Sequence, residues 1–409
     1  AATYRRSAAS DLDIVTYYDG SGQEVQRRVA QAPGKVVVSG WKEHNRLGDV
    51  IAEYEPTLDT DLGFGRPNLT ARPHRAFEYD VEGRAIVTRN YDGAVSRLAI
   101  APFEARMIDP IQDAAGVTRR DELDARRRRF AVHAPTETGD LTTRFKYGEL
   151  GELLSVDDHR SRTVDYVYDM AGQRLTIDHR DAGRRRLFYD AAGRVVATID
   201  AEGNRVEATF DDAGRISALR VNGAQTQRYT YDPTHPGGLG RLARVVYPGG
   251  AQSFRYTPRG QVAQVEWEFD ELGAPQVVGY EYDGFGNETA IVHPDGTRIE
   301  TDYYDNGWVR SVPGFVGAVE YDARGMATNI AFANGVTSET TYTDGVGRAS
   351  SHRVVGPTGR VHEDLVFAHD ALSRATTITD QRLGTTRTHA YDLLQQLTSV
   401  DDDGTVTAF

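Results

Sequence analysis

An all-β fold of tandem β-hairpins is predicted for this chain by three observations. An aromatic residue recurs at a fixed step, a glycine follows it at a constant offset, and the composition holds 41 Gly and 21 Tyr but only 3 Met. Tyr147, Tyr168, Tyr189, Phe210 and Tyr231 lie 21 residues apart, and the last four are each followed by aspartate. A constant step of this size marks an array of identical small units, each unable to bury its apolar surface without a neighbour.

The unit is clearest in "FYDAAGRVVATIDAEGNRVEATFDDAGRISALRV", which alternates strand, tight turn, strand and second turn. Asp169, Asp190, Asp211 and Asp232 open the first turn, where a short carboxylate accepts the N–H groups of the turn it caps. Gly172, Gly193 and Gly214 stand four positions after the aromatic, where a hairpin connection calls for positive φ. Arg194 and Arg215 complete the "YDxxGR" string. Five residues after the glycines come Ile177, Thr198 and Leu219, matched elsewhere by Val156, Val265, Ile291 and Ile330. β-Branched and apolar residues at one offset mark the strand position that faces a buried surface. The second turn recurs as "DAEGN", "HPDGT", "FANGV" and "DDDGT", whose Asn-Gly and Asp-Gly pairs favour two-residue hairpin loops. The pattern continues with varied spacing in "FEYDVEGRA" at 77, "YEYDGFGNE" at 280, "VEYDARGMA" at 319, "TYTDGVGRA" at 341, "FAHDALSRA" at 367 and "AYDLLQQLT" at 390. Helix is expected, if anywhere, only near 110–130. Three regions follow: residues 1–76 as a β segment leading into the repeats, 77–145 as degenerate repeats with an irregular insertion, and 146–409 as the array, cut in mid-repeat.

Charge and composition narrow the function. A net charge of -13 opposes a nucleic-acid partner. Mean hydropathy of -0.52 leaves no candidate membrane span. The basic runs at Arg126–Arg129 and Arg184–Arg186 read as solvated faces or stacked guanidiniums. The chain contains no cysteine, so it has neither disulfides nor a Cys-based metal site. It starts with Ala1, shows no signal peptide, and ends in "SVDDDGTVTAF" where the next aromatic is due, as expected of a piece of a longer polypeptide.

No chemistry-bearing constellation emerges. Gly-x-Ser-x-Gly, His-Glu-x-x-His and Gly-x-x-x-x-Gly-Lys are all missing. The 11 histidines are scattered, with His362 and His369 a near pair. "DDDGT" at 401 lacks the distal Glu of a calcium loop, and the sequons at Asn68 and Asn287 matter only in a glycosylating host. No catalytic, cofactor-binding or metal residues are assigned, and the chain reads as a non-enzyme. Trp41, Trp267 and Trp308 are too widely spaced to define a sugar-stacking row, so they read as buried anchors, although an adhesion or carbohydrate-binding module stays open as an alternative.

The iterated "YDxxGR" units with their "DGN/T" turns resemble the YD-repeat or rearrangement-hotspot (RHS) family, which includes bacterial polymorphic toxins, the B and C components of insecticidal toxin complexes and the teneurins. The resemblance runs over residues 77–409. The leader "YYDGSGQEVQRRV", "VSGWKEHNRLGDVIAEYEPTLDTD" and "YDVEGRAIVTRNYDGAVSRLAIAPFEARMIDP" is similar in order to the segment preceding the repeats in toxin-complex B components. The resemblance implies a β-sheet strip that spirals into a hollow shell around a toxin or effector domain, secreted from a bacterium. It implies other shell segments as partners, with a cell-surface glycan or receptor as a further candidate. The family's closing "DPxGxxDP" autoprotease motif is missing; "YDPTHPGG" at 231 and "MIDPIQDAAG" at 107 lack the second Asp-Pro. No autoproteolytic residue carries over.

Overall fold

The computed structural model describes residues 2–8, 10–65, 74–109, 117–159, 162–232, 234–235, 237–343 and 345–409. Among them every regular element is a strand. The region 117–130, where helix was allowed, holds the strand Arg119–Leu123, a turn, and the start of Arg129–Thr136. Residues 110–116 lie outside the described residues. The chain divides into two compact units, residues 1–128, 133–140 and 301–409 in the first, and 129–132 and 141–300 in the second.

In the second unit each strand pairs antiparallel with its successor, from Gly139–Tyr147 to Arg298–Glu300, because turns this short can only reverse the chain onto itself. The turn after Tyr147, Tyr168, Tyr189 and Phe210 is a three-residue loop, whereas the one after Tyr231 runs from Asp232 to Arg241. In the hairpin at Tyr189, the N–H of Asp190 donates to the carbonyl of Arg194 and that of Gly193 to the carbonyl of Asp190. Gly193 sits at φ +79°. Beyond the loop the second strand carries one extra residue, Leu175, Val196 and Ser217 in turn, a β-bulge that shifts the register between Val167 and Tyr168, Phe188 and Tyr189, Thr209 and Phe210.

Three of the four second turns expected to be two-residue loops use this same form. In "DAEGN", "HPDGT" and "FANGV" the first residue's N–H bonds to the carbonyl four positions on, and the glycine's N–H bonds back. Only "DDDGT" has the two-residue loop, with Asp403 and Gly404 at φ +51° and +90° between the paired Asp402 and Thr405. The reason is that a type I turn closed by a left-handed glycine matches the strand twist as well as the shorter loop does.

Paired residues share a face of an antiparallel sheet, as do residues two apart. By that rule Val156, Ile177, Thr198, Leu219, Val265 and Ile291 all fall on one face of the second unit. Val265 is buried and the others are half-buried. The deepest burial is on the opposite face, one residue earlier: Ser155, Ala197 and Ala290 are 2%, 4% and 1% exposed. Ala197 lies between Phe188 and Glu207, and Ala290 between Glu281 and Glu300. Long neighbours lay their stems over the small side chain.

The first unit opens with a five-stranded sheet in the order Ala2–Ala8, Ser10–Tyr18, Glu24–Ala32, Lys35–Ser39 and Thr57–Asp59. Its core includes Val15, Tyr17, Val36, Val37 and Val38. Arg28, only 3% exposed, donates through Nη1 to Asp59 Oδ2 and the Asp61 carbonyl, both at 2.8 Å. Gln26 holds the carbonyl of Gly65, and Phe64 packs 5.1 Å from Tyr17. Residues 59–65 are thereby tied to the sheet. Later in this unit, nine strands from Val316–Tyr321 to Thr405–Ala408 form a continuous meander. Their turns meet the early segment through Arg324 to Glu55 at 3.3 Å, Arg348 to Asp92 at 3.0 Å, the Leu393 N–H to Glu137 at 3.2 Å and Gln395 to Asp109 at 3.4 Å. The acceptor in each of these four bonds is a carboxylate. A main-chain bond from Asp305 to Gln31 joins them.

Candidate functional site

The arrangement the sequence repeats most strictly is the junction between neighbouring hairpins, and the structure shows how its atoms are used. Asp190 Oδ1 accepts the N–H groups of Ala192 and Arg194, both at 2.9 Å. Its Oδ2 accepts Arg194 Nε at 2.7 Å. Asp211 holds the N–H and Nε of Arg215 in the same way. In the first unit Asp80 with Arg84, Asp124 with Arg128 and Asp370 with Arg374 repeat the arrangement. Asp169 caps Ala171 and Gln173 without an arginine. Asp283 uses Asn287 in the arginine's place, at 2.8 Å, so the side chain of that sequon is engaged in a turn. Asn68 lies outside the described residues.

These bonds fix the charge state of the caps. The Arg194 N–H and guanidinium hold the Asp190 carboxyl below its usual range, and the Arg215 side chain then its N–H do so for Asp211. Asp232 lies lowest, at about 2, because the N–H groups of His235 and Thr234 and the His235 ring converge on it.

The paired arginine also reaches forward. Arg194 lies over the Phe210 ring at 4.4 Å and Arg215 over Tyr231 at 4.2 Å. Arg374 covers Tyr391 at 4.4 Å. One guanidinium thus closes its own turn and stacks on the aromatic of the next repeat. The tyrosine hydroxyl reaches back: Tyr189 donates to the Arg174 carbonyl and Tyr231 to that of Ile216, both at 2.8 Å. Tyr256, Tyr282, Tyr342 and Tyr391 make the corresponding bond. Tyr168 instead has its ring near Tyr166, with Arg174 between 4.5 Å and 5.7 Å from the two rings. Gly172 and Gly214 share the positive φ of Gly193. The backward bond and the forward stack are both absent from a reading of motifs alone; the arginine's phase with the next aromatic is the one signal that points to them.

His362 and His369 are seven residues apart on the extended strand Val361–His369, about 23 Å at roughly 3.3 Å per residue, too far to act together. His369 titrates below the ordinary range because of burial and then Arg348. No group of three or more His, Asp or Glu among the described residues could hold a metal ion. No helix there is long and apolar enough to cross a membrane. Trp308 packs 5.1 Å from Tyr321, and Trp41 lies 6.1 Å from Phe64. Each Trp has its own local partner or strand, and none joins a row.

No family model and no curated protein matches the chain. Solved structures do. A TcdB2–TccC3 structure bearing a TEV designation aligns over 97% of the chain with a TM-score of 0.87, and the Photorhabdus luminescens Tc holotoxin pore over 95% with 0.85. TcdB2–TccC3–Cdc42 aligns over 95% with 0.83. The fold is that of the TcdB2–TccC3 chains. Identity to each is 18%, so the likeness is one of backbone, and the chain spans 23% to 24% of the length of those neighbours.

Proposed function

We propose that this chain is a structural wall segment of an RHS-type shell that encloses and protects a toxin or effector domain, exported from a bacterium as part of a larger toxin, and that it has no catalytic role of its own. The supporting observation is the backbone likeness to TcdB2–TccC3 over nearly the whole chain. The repeat chemistry supports it too. The carboxylates, arginines and tyrosines that recur are spent on turns and on neighbouring repeats, as a wall requires. On this reading Tyr168, Asp169, Gly172, Tyr189, Asp190, Gly193, Arg194, Phe210, Asp211, Gly214, Arg215, Tyr231 and Asp232 are architectural. Its partners are the other segments of the shell and the enclosed domain.

The test is protease protection in the polypeptide that carries this chain. A toxin or effector domain of that polypeptide should resist a protease that digests it once the wall is unfolded. The isolated chain should hydrolyse neither polysaccharide, protein nor nucleic acid. Digestion of the domain at the same rate with the wall intact sinks the proposal. So does an activity of the isolated chain that one substitution abolishes without loss of fold.

A further inference from the structure

The face of the second unit that carries Ala197 and Ala290 also carries a line of arginines that no motif reveals. Arg205 is two residues from Glu207, which pairs with Arg220. Arg220 is two from Ala218, which pairs with Arg228. Arg228 pairs with Val246, two from Arg244, and Arg244 pairs with Ser253, two from Arg255. Each arginine is thus the diagonal neighbour of the next, on five successive strands and one face, at steps of about 7–8 Å. The row is about 30 Å long. Apart from Glu207 and, on the next strand, Glu266 and Glu268, the flanking positions on that face are Ala218, Thr230, Val246 and Ser253, none of them charged.

Two of the five already have counter-ions: Arg205 with Glu207 at 2.9 Å, and Arg244 with Glu268 through two 2.7 Å bonds. Arg220, Arg228 and Arg255 are exposed and no ion pair engages them. Like charges aligned this way repel one another, so the row weakens the fold unless something neutralises it. That is unexpected in a chain of net charge -13.

We propose that this row binds a linear sulfated polysaccharide. Regular single cations on a flat face suit a linear polymer with a fixed charge per repeat better than a globular acidic surface. The guanidinium fork matches a tetrahedral oxyanion as it matches phosphate. The hydroxyls of Thr230 and Ser253 lie beside the row for sugar hydroxyls. A single-stranded nucleic acid would need aromatic platforms for its bases, and no aromatic stands between these arginines. Arginine clusters also take acidic peptides, whose carboxylates are planar rather than tetrahedral, so polyglutamate is the competitor that separates the two.

The test is fluorescence anisotropy with a labelled heparin oligosaccharide at about 0.1 M salt, where charges beyond roughly 10 Å are screened. The chain should bind, with affinity falling as salt rises. The triple variant Arg220→Gln, Arg228→Gln, Arg255→Gln should lose about tenfold or more. The control Arg46→Gln, Arg144→Gln, Lys146→Gln removes equal charge away from the row and should retain binding. Circular dichroism checks that both variants fold. Absence of binding, equal loss in the control, or equal affinity for unsulfated hyaluronan, polyglutamate or single-stranded DNA would overturn the proposal.

Discussion

The strict repeats at 147–231 and the loose ones at 301–409 build the same turn from different residues. In the strict region Gly172, Gly193 and Gly214 take the left-handed position at φ +78° to +79°. In the loose region Ser373 and Gln395 take it at +70° and +68°. The hydrogen bonds do not change: Ser373 N–H reaches Asp370 and Gln395 N–H reaches Asp392, both at 3.0 Å, as Gly193 reaches Asp190. What the repeat conserves is the bonding of the loop, and glycine is its least strained occupant rather than its cause. Caps vary in the same sense. Thr257 stands where the strict repeats have Asp, and its hydroxyl accepts the Gln261 N–H at 3.2 Å.

The largest break in this comparison should come from forcing a β-branched residue into the strict turn. Gly193→Val or Gly214→Val should cost about 2 kcal/mol or more, while Ala192→Val or Ala213→Val costs little. A Cβ at 193 would also come within 3.0 Å of Gln173 Nε2. Urea melts that give equal losses for the two classes would show that the strain is elsewhere.

Running the exchange the other way sharpens the point. Ser373→Gly and Gln395→Gly should each stabilise the loose region by about 1 kcal/mol. Destabilisation in the same melts would mean that the side chains there contribute more than the backbone strain costs.

A smaller effect separates repeats within the strict region. Tyr189→Phe removes the hydroxyl bond to Arg174 and should cost about 0.5–1.5 kcal/mol. Phe210→Tyr should gain part of that by reaching the Val195 carbonyl, the equivalent acceptor six residues after Tyr189. Hydrogen exchange at the Val195 strand should slow in this variant, and an unchanged rate would leave the backward bond without energetic weight.

The least effect per residue is that of acid on the caps. An Asp carboxyl has its ordinary value near 3.8, and those of Asp190, Asp211 and Asp370 are depressed in the fold. The unfolded chain therefore takes up protons first, so the caps stabilise fully above pH 4 and lose that contribution as pH falls through the folded values, near 2 for Asp232. Both regions should weaken together across this window, and Asp190→Asn should flatten the dependence. A melt midpoint constant from pH 5 to pH 2 would contradict the cap assignments.

How much was legible follows from distance along the chain. The aromatic, Asp, Gly and Arg lie within a few residues, so their pattern announces the turn. The apolar residue five after each glycine was readable because a strand face repeats every second residue. The burial of Ala197 and Ala290 was not, since it depends on what stands opposite. The arginine row needs four registers in succession, and a one-residue slip in any of them would move part of it to the other face. The contacts of Glu55 and Asp92 have no local signature at all.

That last feature sets an order in time. The hairpins close within a few residues, but Arg348 must find Asp92 across 256 positions, and Arg324 must find Glu55 across 269. At about 5–20 residues per second on the ribosome, the early segment waits some tens of seconds before its partner is made. This seam of contacts is therefore completed last, once the arginines of the later repeats have been made.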